Sequence, residues 1–270
     1  MFEKVDSFIT NVEKVIIGKH DVVSIAIAVL LSEGHLLMED VPGMGKTMLA
    51  KALAKSFAGT FRRIQFTPDL LPSDVTGSYI YDQKTGDFVF RPGPIFANIV
   101  IADEINRGTP RTQSSLLEPM EEYQVTVDGN TFKLEKPFFL IATQNPVERE
   151  GTYFLPISQT KEEIIHIQEF VKTIKVDSRL YEYIVNITQL TRESDKFILG
   201  VSPRASLDLF RLSQAFALLE KRNYAIPDDV KKAAPLILAH RVIPATAVKA
   251  EKDMPEEIIK EMLNEISVPI

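Results

Sequence analysis

The chain has no cysteine, no tryptophan and only four histidines. These absences exclude a disulfide framework, a cysteine-ligated metal site and a cysteine nucleophile. The longest apolar stretch, Val22 to Leu31, is interrupted by Ser24 and falls well short of the about 18 residues of a membrane span. The first residues lack the basic and then apolar pattern of a signal peptide. We therefore expect a cytoplasmic protein without a membrane span.

The 270 residues have an ordinary globular composition, with 45% hydrophobic and 25% charged side chains. This composition excludes disordered, collagen-like and low-complexity proteins. The formal net charge of -6 disfavours a nucleic-acid coat, which needs a basic surface.

Strand-like and helix-like segments alternate in the first part of the chain, which is typical of an α/β sheet. The apolar runs 98–102 and 138–142 predict strands buried on both faces of a parallel sheet. Residues 79–90 and 124–134 predict two hairpins that decorate the sheet. After about residue 160 the strand runs stop, and the helix-like segments are residues 178–192, 204–221, 228–240 and 255–266. We expect an αβα core over residues 1–160 and a small all-α domain over residues 161–270.

A glycine loop follows the first strand and leads directly into a helix. The segment Val41–Thr47 has Gly43, Gly45, Lys46 and Thr47 where a phosphate-binding loop needs them, although Asp40 replaces its first glycine. Glycines let backbone N–H groups point at phosphate oxygens, and the helix start adds its positive dipole. Lys46 is expected to bind the β- and γ-phosphates and Thr47 to bind Mg²⁺. The alternative is a plain glycine turn before a helix.

Two carboxylates end the buried strand at residues 99–102. We expect Asp103 to hold Mg²⁺, directly or through water, and Glu104 to polarise the attacking water. The alternative is a solvated acidic strand end.

Two further polar residues are candidates for the same site. Asn145 follows the strand 138–142, and ligand crevices of parallel sheets lie at the carboxyl ends of strands. Arg204 opens a helix of the second domain, from which it could reach the nucleotide. The alternatives are a turn-forming Asn before Pro146 and an exposed Arg at a helix start.

Taken together, these features resemble the MoxR branch of AAA+ ATPases, in the helix-two-insert clade with magnesium-chelatase subunits. The matching stretches run in family order along nearly the whole chain: Glu39–Thr47, Phe66–Gly77, Arg91–Pro94, Ala102–Arg107, Thr112–Glu118, Ala142–Pro146, Glu150–Tyr153, Ser202–Ala205 and Ile226–Val230.

The resemblance implies that residues 1–160 are the nucleotide-binding core and residues 161–270 the lid domain, with the nucleotide site between them. Asn145 matches the family's sensor 1, Arg204 its sensor 2, and Ile17 with Gly18 the segment near adenine. Residues 70–81 match the start of the helix-two insert and residues 88–91 its far side, while residues 124–134 match the pre-sensor hairpin. The phosphate loop is expected to contact ATP through Pro42, Gly43, Met44, Gly45, Lys46, Thr47 and Met48.

The resemblance also implies partners. It implies homo-oligomeric, hexameric rings that bind ATP and Mg²⁺ and remodel client proteins, often with von Willebrand factor A domains.

The sequence departs from the family pattern after Gln159, where Thr160 and Lys161 follow directly. The family continues there with several dozen residues that form another core strand and carry the arginine acting in trans. One hypothesis is that the native polypeptide retains this segment, in which case its intact mass would exceed 30.4 kDa. Otherwise hydrolysis is in question, with Arg107 and Arg111 as fallback candidates for the trans-acting arginine.

Four functions are compatible with these motifs. An ATP-hydrolysing remodeller is favoured by Glu104 and Asn145. A nucleotide-gated binding module without appreciable turnover is favoured by the departure after Gln159. A small-molecule kinase would not need the hairpins and the helical second domain, and the acidic balance disfavours a DNA helicase or loader.

Overall fold

A computed structural model describes residues 1–39, 45–144, 155–245 and 254–269. The chain forms two compact units, which comprise essentially residues 3–166 and 167–270. The boundary between residues 160 and 161 stays a prediction. In the described ranges, no helix combines the length and the apolar composition that a membrane crossing requires.

The first unit alternates helices with strands, as the sequence predicts. Its elements are α1 (Phe2–Glu13), α2 (His20–Leu31), β1 (Leu36–Met38), α3 (Lys46–Ser56), β2 (Phe61–Gln65), α4 (Pro72–Thr76), β3 (Gly77–Asp82), β4 (Asp87–Pro92), β5 (Ile99–Asp103), α5 (Pro110–Ser114), α6 (Leu117–Glu122), β6 (Gln124–Val127), β7 (Asn130–Lys133) and β8 (Phe139–Thr143).

Four parallel strands form the central sheet in the order β1-β8-β5-β2. Every residue of β5 and β8 is buried, which agrees with their continuous apolar sequences. Because side chains alternate along a strand, Val100 and Leu140 point to one face, where they join a core that contains Phe66 and Ile95. Helix α3 packs against β5. The predicted parallel-sheet core is confirmed.

Two antiparallel hairpins extend from this core, at the positions that the sequence predicts. Strand β3 pairs with β4, and β6 pairs with β7. The hairpins contact each other, because the ring of Phe90 stacks on that of Phe132 with centroids 4.0 Å apart. The Asn130 amide also donates a hydrogen bond to the Tyr79 hydroxyl, at 2.9 Å.

Residues 110–123, whose sequence predicts one helix, form two short helices, α5 and α6. The break has a local cause, because the hydroxyls of Ser114 and Ser115 donate to carbonyls three residues back and compete with the helical pattern. Pro119, inside α6, has no N–H for a bond to the preceding turn.

The second unit is helical, which confirms the predicted lid class, with one short strand pair that the sequence analysis did not predict. Its elements are α7 (Lys161–Lys172), which begins in the first unit, α8 (Ser178–Glu193), β9 (Phe197–Leu199), α9 (Arg204–Leu219), α10 (Pro227–Leu238), β10 (Ile243–Pro244) and α11 (Met254–Glu265). Strands β9 and β10 pair antiparallel. Within this unit the Asp229 carboxylate accepts hydrogen bonds from both Nη atoms of Arg222 and from the Ile226 N–H.

Candidate functional site

The strand register brings the ends of three strands to one edge of the sheet. Met38, the last residue of β1, lies beside Thr143, the last residue of β8. The β5–β8 ladder ends one step earlier, at Ala102 and Ala142. Asp103, the last residue of β5, and Glu104 directly after it therefore lie at the edge where β1 ends and the chain leads to α3. This is where parallel sheets bind ligands.

Helix α3 begins at this edge with a buried cation and a buried hydroxyl. Lys46 is 5% exposed and Thr47 is 4% exposed, although lysine is rarely buried in proteins. Gly45 precedes them at φ +78°, a left-handed conformation that favours glycine. Apart from its chain neighbours and its own helix, no atom of the described residues lies within 4 Å of where its Cβ would stand.

The Asp103 carboxylate is held from two sides. Its Oδ2 lies 2.5 Å from Nη2 of Arg63, which comes from β2, and its Oδ1 accepts a hydrogen bond from the Thr143 hydroxyl. The residue is 8% exposed. An ionised carboxylate offers about four lone-pair positions. The described residues occupy two of them, and the other two suit a cation or a water molecule that a cation binds.

Glu104 occupies a strained backbone position directly after the strand. Its φ of +55° lies in the left-handed region, which costs a non-glycine residue about 1–2 kcal/mol. Its N–H donates to the Thr143 hydroxyl oxygen at 3.2 Å, and its Oε2 lies 2.6 Å from Nη1 of Arg107. Strain of this kind is common at functional sites.

The turn after Glu104 is braced by the helix that follows. The Gln113 amide donates to the carbonyls of both Ile105 and Gly108, each at 3.0 Å. A Cβ on Gly108 would come within 2.4 Å of the Phe66 ring, so this turn lies directly against the core. The bracing holds Glu104 on a defined backbone.

The donor set suits magnesium better than a metal bound by protein alone. Among the residues that the structure describes, no three His, Asp or Glu side chains converge as a metal cluster. Mg²⁺ is usually held by one or two carboxylates together with substrate phosphates. The hydroxyl of Thr47 and the carboxylate of Asp103 fit that requirement.

The remaining predicted site residues are not brought together by the described geometry. Ile17 is 82% exposed, and Gly18 has φ +74°. Met48 lies in the first turn of α3, and Arg204 is the exposed first residue of α9 in the second unit. Asn145 and the loop residues Pro42, Gly43 and Met44 lie outside the described residues.

Three contacts of this site are absent from the sequence predictions. The sequence motifs assign no role to Thr143 or Arg63. They offer Arg107 only as a residue acting in trans, whereas here it pairs with Glu104 of its own chain. A hydroxyl at the end of the buried strand β8 and a guanidinium within β2 are signals that sequence reasoning could have used. Their partners, however, follow only from the strand order.

Family models match both parts of the chain. The model described as "ATPase family associated with various cellular activities (AAA)" matches residues 35–165, and an AAA lid domain model matches residues 189–262.

Two relatives align with almost the whole chain. An uncharacterized protein, YeaC, from Bacillus subtilis is 46% identical over 97% of this chain and 94% of its own length. Chaperone MoxR1 from Mycobacterium tuberculosis is 35% identical over 97% of this chain and 81% of its own length. The Bacillus alignment has 300 positions, whereas 97% of 270 residues is about 262. About 38 aligned positions therefore have no residue of this chain.

A solved structure has the same fold. A crystal structure of a candidate ATPase from Cytophaga hutchinsonii superposes with a TM-score of 0.88 at 33% identity and covers all of this chain and 96% of its own.

Proposed function

Because the chain belongs to the MoxR family of AAA+ ATPases, we propose that it binds ATP with Mg²⁺, hydrolyses it and uses the energy to remodel a partner protein. One observation carries the proposal. The strand register places the Asp103–Glu104 pair at the sheet edge where β1 ends and the chain leads into α3, whose first residues are a buried lysine and a buried threonine.

Each residue of this arrangement has a proposed task. Lys46 binds the β- and γ-phosphates as a cation, while Thr47 and Asp103 hold Mg²⁺ between them. When bound, Mg²⁺ supplies positive charge that offsets the charge developing on the phosphate oxygens. Glu104 orients the attacking water and accepts its proton. Phosphoryl transfer depends mainly on positioning and electrostatics, which suits a braced pair of carboxylates.

The other predicted residues complete the proposed site. Gly45 and its neighbours Pro42, Gly43, Met44 and Met48 form the loop around the phosphates. Ile17 and Gly18 contact the adenine. Asn145 reaches the γ-phosphate or the water, and Arg204 connects the lid to the nucleotide state. These assignments rest on the sequence motif and on the family.

The proposed biological role comes from the family. MoxR1 is named a chaperone, and AAA+ proteins commonly assemble into rings. We propose a homo-oligomer, hexameric when assembled, that acts in the cytoplasm on protein clients, including von Willebrand factor A domain proteins. Sedimentation of the chain with and without ATP tests this assembly. A hexameric ring predicts that ATP shifts the mass from that of a monomer to that of a hexamer.

A second function is a nucleotide-gated binding module that binds ATP without appreciable turnover. It is supported by the parallel sheet, which has four strands in the part of the chain that the structure describes. In the described residues from 155 onward, the next element is helix α7 and not another core strand. It is also supported by the about 38 positions of the Bacillus alignment without a counterpart in this chain. The segment that the family pattern has after Gln159 carries the family's trans-acting arginine.

Phosphate release distinguishes the two functions. The chain is incubated with ATP, once with excess Mg²⁺ and once with a chelator, and inorganic phosphate is followed over time. If the chain is an ATPase, phosphate release with Mg²⁺ should be well above the release in the chelated sample. Release at background in both samples, together with tight ATP binding, would favour the binding module.

A further inference from the structure

One hydroxyl group contacts both carboxylate residues of the site. Thr143 is fully buried at the end of β8. Its Oγ1 donates a hydrogen bond to Oδ1 of Asp103 and accepts one from the backbone N–H of Glu104, at 3.2 Å. A hydroxyl has one proton and two lone pairs, so both bonds form at the same time.

These two bonds begin where the sheet ladder ends. The last paired residues of β5 and β8 are Ala102 and Ala142. Up to these residues, backbone hydrogen bonds connect the two strands. One residue further on, the Thr143 side chain connects them instead. It does so at the residue where the backbone of Glu104 enters the left-handed region. On the β2 side Asp103 still pairs with Gln65, and Gln113 braces the turn that follows, so Thr143 supplies the contact on the β8 side.

The Asp103 carboxylate is fixed only when both of its contacts are present. Arg63 holds Oδ2 through a single Nη atom, around which the carboxylate can still rotate. The second bond, from Thr143 to Oδ1, removes that freedom. Partners that orient a metal-binding carboxylate commonly change metal affinity or activity about 10- to 100-fold when removed.

We propose that Thr143 is a positioning residue, whose hydroxyl sets the direction of the Asp103 carboxylate toward magnesium and the backbone from which Glu104 approaches the attacking water. The inference rests on the proposed function, because it assigns Thr143 to that same site. The methyl group of Thr143 has no part in it, and therefore serine should replace threonine whereas valine should not.

The second unit offers a matched control. The Thr191 hydroxyl, 1% exposed, also donates to an oxygen, the Thr188 carbonyl at 2.8 Å, and accepts a backbone N–H, that of Val201 at 3.1 Å. Thr191→Val therefore removes the same pair of hydrogen bonds from a buried site with no proposed catalytic role. It reports what the loss of such a hydroxyl does to folding alone.

The experiment compares the full-length wild type with Thr143→Val, Thr143→Ser and Thr191→Val. Mn²⁺, which replaces Mg²⁺ and is detected by electron paramagnetic resonance, is titrated into each chain with a non-hydrolysable ATP analogue. The affinity for the analogue without metal and the kcat and KM for ATP are measured in parallel. Circular dichroism establishes that each variant is folded; if Thr143→Val is not, Thr143→Ala takes its place.

We expect Thr143→Val to weaken Mn²⁺ binding at least about tenfold and to lower kcat by a similar factor, with less than about threefold change in metal-free affinity. Thr143→Ser should restore Mn²⁺ binding to within about threefold of the wild type, and Thr191→Val should bind Mn²⁺ as the wild type does. Wild-type Mn²⁺ affinity in Thr143→Val, or weakened affinity in Thr143→Ser or Thr191→Val, would overturn the inference alone. A wild-type chain that binds no Mn²⁺ with the analogue would overturn the proposed function and the inference with it.

Discussion

Replacing Glu104 by glutamine removes one charge from the site and almost nothing else. The side chain is 7% exposed, and its Oε2 accepts a hydrogen bond from Arg107 at 2.6 Å. The glutamine amide has the same shape, and its oxygen can accept the same bond. Because more than half of the Arg107 side chain is exposed, the lost ion pair should cost less than about 1 kcal/mol of stability.

The effect on turnover should be much larger. A general base contributes about 10²- to 10⁴-fold to a rate, which corresponds to about 2.7–5.5 kcal/mol of activation free energy. We expect Glu104→Gln to lower the rate of phosphate release by that factor. ATP affinity should stay within about threefold of the wild type, because Glu104 acts on the water and not on the phosphates.

Single-turnover phosphate release and calorimetric ATP binding measure the two quantities. The control is Glu182→Gln, the same substitution at an exposed position of α8, which should leave both unchanged. Phosphate release by Glu104→Gln within about tenfold of the wild-type rate would refute the role of Glu104 as a base. Loss of ATP binding would show that the residue acts elsewhere.

Three further predictions concern stability. Asp229→Asn should destabilise the second unit by about 3 kcal/mol in urea unfolding, because it breaks a buried ion pair with Arg222; a change below about 0.5 kcal/mol would contradict this. Burial lowers the pKa of His35 from 6.5, so on acidification the unfolded state binds a proton before the folded state does. As the pH drops below about 6.5, the free energy of unfolding should therefore decrease, by at most about 1.4 kcal/mol per pH unit. In His35→Phe this decrease with pH should be less steep. Gly77→Ala should lower hydrogen-exchange protection of the β3–β4 hairpin, because the new Cβ would lie 2.3 Å from the Arg91 carbonyl oxygen at φ +95°; unchanged protection would contradict it.

The sequence predicts the core elements well because burial leaves a clear pattern. The apolar runs at 98–102 and 138–142 correspond to β5 and β8, whose residues are all buried. The Asp128–Gly129 turn likewise predicts the β6–β7 hairpin, since both residues adopt positive φ. These features are local in the sequence.

Features that depend on competition between weak local preferences were harder to predict. Helix α7 is absent from the sequence expectations, although its first turn carries Glu162 and Glu163, which favour a helix start. The β9–β10 pair has three residues in β9 and two in β10, and it depends on contact between distant segments. Such short strands carry little periodicity of their own.

The residues of the candidate site likewise include some that local sequence predicts and some that only the fold brings together. Lys46, Asp103 and Glu104 follow from motifs that are continuous in the sequence. The partners Arg63 and Thr143 lie 40 residues on either side of Asp103. Their contact with Asp103 depends on the order β8-β5-β2, which no local pattern specifies.

The most direct test of the account is a calorimetric titration of ATP with Mg²⁺ into the wild type, Lys46→Ala and Lys55→Ala. Lys46 is the buried first residue of α3, and Lys55 is an exposed residue near the other end of the same helix. We predict ATP binding by the wild type and by Lys55→Ala, and binding at least about 100-fold weaker by Lys46→Ala, since charge-assisted bonds to phosphate are lost. No uptake by the wild type, or equal uptake by Lys46→Ala, would contradict the account.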